Sequence, residues 1–172
     1  GTPWGGTSDK SWYKDDTDSF TITTAEQLAG LAELVNVGNK FENKTVKLGA
    51  DIYLNPDDNK KDKAWTPIAR VRAELATQGN GAGFPAMLPE DQQIPFSGTL
   101  DGNNHYIYNL YVKDSRTADN LNDVTTSVGN SLLGYNAGTI KNLGVTGYVN
   151  GTRRSAGISG FNSKSGNIEY CE

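Results

Sequence analysis

The sequence predicts a mainly β domain, a β-solenoid of about four or five short coils with one amphipathic helix capping its N-terminal end. Three observations lead there. Gly, Asn, Thr and Ser make up 64 of 172 residues, while the apolar fraction is only 35%; many turns and small β-compatible residues argue against a helical bundle. A short apolar motif recurs through the C-terminal third. And one segment alone combines helical periodicity with both caps.

Residues 1–19 form a polar leader that carries Trp4, Trp12 and Tyr13. Three aromatics in such a stretch predict that it docks on the body. Phe20 and Ile22 alternate with Thr21 and Thr23, a short strand. Thr24 is an N-cap, and Gln27 three residues on completes a capping box. Leu28, Leu31, Leu34 and Val35 then line one face until Gly38 and Asn39, so the helix spans 25–37. Val46/Leu48 and Ile52/Leu54 alternate as rung-length strands, and a charged turn follows at 55–63. Residues 69–95 hold Gly79, Gly81, Gly83, Pro85, Pro89 and Pro95, and read as an insertion loop with a helical turn at 70–76.

The repeat is I-x-N-L-x-V, at Ile107–Val112 and again at Ile140–Val145, with an eroded copy from Ile168. Gly134-Tyr135-Asn136 and Gly160-Phe161-Asn162 interleave with it. The spacings are 33, 28 and 26 residues, with no helix inside a copy. Each copy has an apolar row that it cannot bury alone, and stacking copies shares the core. Ile, Leu and Val are expected to point inward, with Asn at a bend and stacked on the Asn of the next copy. The chain stops at Glu172 inside a copy, which predicts an open coil edge.

Composition excludes several functions. No apolar run approaches the length of a membrane-spanning helix. There is no charged segment followed by an apolar run at the N-terminus, so a signal peptide is absent or already removed. A net charge of −4 leaves no basic stripe for nucleic acid. The single cysteine, Cys171, and single histidine, His105, exclude an internal disulfide and a Cys- or His-rich metal site. No cofactor is expected.

Five segments in order carry a resemblance. They are Thr23–Leu31, Phe41 through Ala50–Leu54, Trp65–Ile68, Phe96–His105, and Leu133–Tyr135 followed by Gly138–Leu143. Leu133-Gly134-Tyr135 stands where the family's Gly-Leu-Phe-Gly box falls. Together they resemble the secreted bacterial surface proteins with GLUG-type repeats, found in gut and oral Gram-positive bacteria. The resemblance implies a right-handed parallel β-helix, export, and a place at the cell surface within a longer chain. It does not imply an enzyme. Residues 69–95 depart from the family's short link and favour a specialised surface over a plain stalk.

Candidate sites follow from residue type. Asp101 and His105 are the one carboxylate–imidazole pair close in sequence, but Asp101-Gly102-Asn103-Asn104 reads as a tight turn, so no catalytic residue is assigned. Asp15, Asp16 and Asp18, and Asp57, Asp58 and Asn59, offer oxygen ligands without calcium-loop spacing, so no metal site is assigned. Tyr106, Tyr108 and Tyr111 point outward if their apolar neighbours point in, unless the 69–95 segment covers them. Arg70 and Arg72 are expected to border that patch, with Arg153 and Arg154 on a later turn. The expected function is a non-catalytic binding domain that contacts a host protein, an immunoglobulin or other glycoprotein, through the tyrosine face and the 69–95 loop. The alternatives are a structural stalk and a β-helix that binds or cleaves carbohydrate.

Overall fold

The structure, a computed structural model, describes residues 1–77, 83–113, 130–150 and 156–172; for 73–77 and 83–86 only the backbone is described. The chain runs β1 (Ser19–Ile22), α1 (Ala25–Asn36), β2 (Thr45–Leu48), β3 (Ile52–Tyr53), β4 (Ala73–Thr77), β5 (Gly83–Met87), a 3-10 turn (Glu90–Gln92), β6 (Thr99–Val112), β7 (Leu133–Asn136), β8 (Thr139–Val149), β9 (Ser159–Asn162) and β10 (Asn167–Glu169).

The helix forms as its caps dictate. The Thr24 hydroxyl accepts from the Gln27 N–H, the Gln27 side chain accepts from the Thr24 N–H, and Gly38 follows with φ +120°. Leu28, Leu31 and Val35 are fully buried.

The main sheet is parallel, in the order β1-β2-β6-β8-β10, with β3 also on β6. Phe20, Val46, Leu100, Ile140 and Ile168 share one register row, the first four buried in the core and Ile168 exposed at the edge. On either side of it lie an outer row Ser19, Thr45, Thr99, Thr139 and Asn167 and another of Thr21, Lys47, Asp101, Lys141 and Glu169. Period-two alternation thus sorts each strand into core and solvent faces. The second row alternates charge from Lys47 through Glu169, so no like charges stand directly opposite.

This corrects the expected right-handed parallel β-helix with its helical cap. The chain is an α/β arrangement: a mostly parallel sheet, with α1 as the crossover between neighbouring β1 and β2, and two small two-stranded sheets, β4–β5 and β7–β9. A solenoid needs each coil to repeat the same strand set. Here the strands are unequal, 14 residues in β6, 11 in β8 and 4 in β1. A helix stands where the first coil would continue, between β1 and β2, and it buries its stripe in the shared core.

The repeats are only partly in the expected register. Ile168 pairs with Ile140, and Tyr135 and Asn136 with Phe161 and Asn162, as the 28- and 26-residue spacings predict. Ile107 does not pair with Ile140. It faces Ile52 and Val145, while Ile140 faces Leu100. The register between β6 and β8 shifts after Asp101 and again after Ile107, so one motif occupies two different places along the strands. The bends are at asparagine as expected, with φ +61° at Asn109 and +54° at Asn142. Their side chains do not stack on each other; Asn109 meets Asn55, and the stacked pair is Asn136 on Asn162, 2.8 Å apart.

The helical turn expected at 70–76 is instead part of an antiparallel pairing, Ala73 with Met87 through Thr77 with Gly83. Gln93 clips its base. Its buried amide accepts from the Arg72 N–H at 2.8 Å and donates to the Arg72 and Leu88 carbonyls at 2.8 and 3.0 Å. Gln93→Ala is expected to cost about 2 kcal/mol, because it strips three polar partners of one side chain. Amide exchange at Leu88, whose N–H bonds Arg72, checks it: protection there should fall before that of β6.

The leader lies on the body. Trp12 meets Phe20 at 5.2 Å and Tyr13 meets Phe41 at 5.3 Å between ring centres. The Lys44 ammonium donates to the Asp15 and Thr17 carbonyls at 3.0 and 2.6 Å. Gly30 permits the close approach to α1: a Cβ there would run into the Asp9 carbonyl.

Candidate functional site

The outer face of the β3–β6 pairing carries three stacked tyrosines. Tyr53 and Tyr108 are register partners, and their rings stack at 4.8 Å between centres and 25° between planes. Tyr106, two residues back on the same face of β6, stacks on Tyr108 at 5.3 Å and 14°. The Tyr106 ring lies over Gly144 of β8, where any Cβ would strike it. Glycine there makes the slot that holds the ring.

Acidic groups surround the stack. The Tyr106 hydroxyl donates to the Glu172 carboxylate. Asp51 Oδ1 accepts from the Tyr106 backbone N–H at 2.9 Å and lies 3.2 Å from His105 Nδ1. The bond to Glu172, then desolvation, push the Tyr106 phenol above the usual tyrosine range. Desolvation, then the Asp51 charge, do the same for Tyr108. Both stay neutral hydroxyl donors at physiological pH. A pocket of about 210 Å³ adjoins the stack, lined by His105, Tyr106, Asn142, Tyr170 and Glu172 among others.

Tyr106 and Tyr108 therefore stand together as expected, and Tyr111 does not join them. The bend at Asn109 separates it, and Tyr111 pairs with Tyr148, whose ring carries the Lys61 ammonium at 4.6 Å. Arg70 and Arg72 do not border the stack. Arg70 lines a groove beside α1, and Arg72 sits at the hairpin base with its backbone held by Gln93. Arg153 and Arg154 lie outside the described residues. Nor do the described ends of 69–95 cover the tyrosines: Val71 and Met87 pack against Tyr135 and Phe161. Asp101 is not the partner of His105; its carboxylate accepts from the Asn103 N–H and the Asn142 amide. Asp18 pairs with Lys44 and Asp57 accepts from Asn109. Among the described residues no three His, Cys, Asp or Glu side chains gather to hold a metal ion.

Sequence reasoning missed Tyr53, Asp51 and Glu172. The signal for Tyr53 was present: Ile52-Tyr53 and Ile107-Tyr108 are the same dipeptide, and the sheet pairs them.

No protein-family model, no curated protein and no solved structure matches the chain.

Proposed function

We propose that this chain is a non-catalytic recognition module of a bacterial surface protein, and that it contacts a host protein through the face built by Tyr53, Tyr106 and Tyr108. The observation that carries the reading is the stack itself. Tyrosine is enriched at the energetic centres of protein interfaces. Rings already stacked in a row lose little freedom on binding, which favours affinity. Stacking commits the ring faces to one another and the Glu172 carboxylate accepts from the Tyr106 hydroxyl, leaving ring edges for a partner. A sugar-binding platform needs a free ring face, so the row suits a protein partner better than a saccharide. Placement on a bacterial surface rests on the GLUG-type resemblance of the sequence segments alone, since the β-helix expected with it does not form.

The test is biolayer interferometry of the 172-residue chain against pooled immunoglobulins and mucin. Saturable protein binding is expected to weaken by at least about tenfold in Tyr108→Ala and in Tyr53→Ala, the loss typical of an interface hot spot. Circular dichroism checks that each variant folds. Binding that both variants retain would move the contact off this face. No binding to either partner would leave the stalk reading, which requires no ligand.

A further inference from the structure

A second groove lies apart from the tyrosines, between the leader, α1 and the segment 65–70. It encloses about 750 Å³, within the range of small-molecule sites. Trp4 forms an aromatic wall. Its indole N–H donates to the Thr7 carbonyl at 2.7 Å, and its ring meets Trp65 edge-on at 5.5 Å, so it is held in place while only partly buried. Ala29 and Ala32 keep the helix side of the groove low.

The polar groups divide into committed and free. Glu33 bonds Ser8 and pairs with Lys10 at 3.2 Å, contacts that hold its carboxyl below the usual range. The Asn36 amide donates to the Pro67 carbonyl and accepts from the Arg70 N–H. The Arg70 side chain is exposed and has neither an ion pair nor a hydrogen bond among the described residues. Among the described residues, Arg70 is thus the lining charge without a partner, and it shares the groove with a pinned indole.

We propose that this groove binds a carboxylate-bearing saccharide. The C–H face of a sugar ring would lie on Trp4, and its carboxylate would take the planar fork of Arg70. Thr7 and Thr66 supply hydroxyls at the rim. Trp65 also lines the groove, but it is buried and its indole N–H is committed to the Leu132 carbonyl, so the partly exposed Trp4 is the ring a ligand can reach. The inference does not depend on the tyrosine face.

Isothermal titration of the 172-residue chain with sialyllactose, digalacturonate and lactose tests it. At least one acidic saccharide should saturate the chain, about tenfold or more tighter than neutral lactose, the worth of one charge-assisted contact. Arg70→Gln should abolish that preference, Arg70→Lys should restore part of it, and Trp4→Phe should weaken every saccharide. Tyr108→Ala should change none of these affinities, which separates this site from the tyrosine face. The proposal fails if neither acidic saccharide saturates the chain, or if Arg70→Gln leaves its affinity within about twofold.

Discussion

Leu100→Ala is expected to destabilise the domain by about 3–4 kcal/mol, while Ile168→Ala in the same register row costs about 1 kcal/mol. Leu100 is fully buried at the centre of the row, between Val46 and Ile140. Both neighbours are fixed by parallel pairing and are themselves fully buried, so the site cannot collapse around the missing methyl groups. The loss is then transfer free energy plus an unfilled cavity. Ile168 lies on edge strand β10 and is 39% exposed, so its truncation removes less buried surface and leaves an opening that water fills. Urea unfolding followed by circular dichroism measures both, with unchanged slopes showing that the same transition is compared. Equal costs would mean that the row is not the shared core, and that α1 and the leader carry the stability instead.

What could be read from the sequence divides by the range of the interaction. The capping box places the start of α1 within one turn of chain, and the structure begins the helix at Ala25 as read. Alternation at Val46/Leu48 is equally local. Closure of coils is not. I-x-N-L-x-V fits more than one register with the same apolar pattern, and only long-range pairing chooses that Ile107 faces Val145. Residues 70–76 have the composition of a helical turn, yet 73–76 are drawn into β4 by pairing with β5, a tertiary override of local propensity. The site shows the same split. Tyr106 and Tyr108 follow from alternation along one strand. The Asp51–His105 contact joins residues 54 apart, a distance at which spacing carries no information. Tyr111 points outward, as its buried neighbours Leu110 and Val112 require, but the left-handed bend at Asn109 carries it off the face that Tyr106 and Tyr108 share.

That bend supports the second large prediction. Asn109 is buried with φ +61°. Its amide donates to the Asn55 carbonyl at 2.8 Å and to Asp57 Oδ1 at 2.9 Å, and its own carbonyl accepts from the Asn55 amide at 3.0 Å. Asn55, fully buried, also holds the Lys63 N–H at 2.6 Å and the Lys63 carbonyl at 3.0 Å, which closes the charged turn between them. Two separate costs follow from replacing Asn109. Loss of the amide leaves buried polar atoms without a donor, about 1–3 kcal/mol. A β-carbon without the local bonding of asparagine adds about 1–2 kcal/mol in the left-handed region. Asn109→Ala incurs both and should cost about 3 kcal/mol. Asn109→Gly incurs only the first and should be milder by about 1 kcal/mol, although glycine is the smaller side chain. Both variants should raise exchange at the Lys63 amide, because the Asn55 main-chain carbonyl loses its donor and the residue whose side chain holds the Lys63 N–H loosens. Asn109→Ala as stable as the parent would show that the asparagine pair does not lock the bend. Glycine and alanine costing the same would assign the whole effect to the hydrogen bonds and none to the backbone.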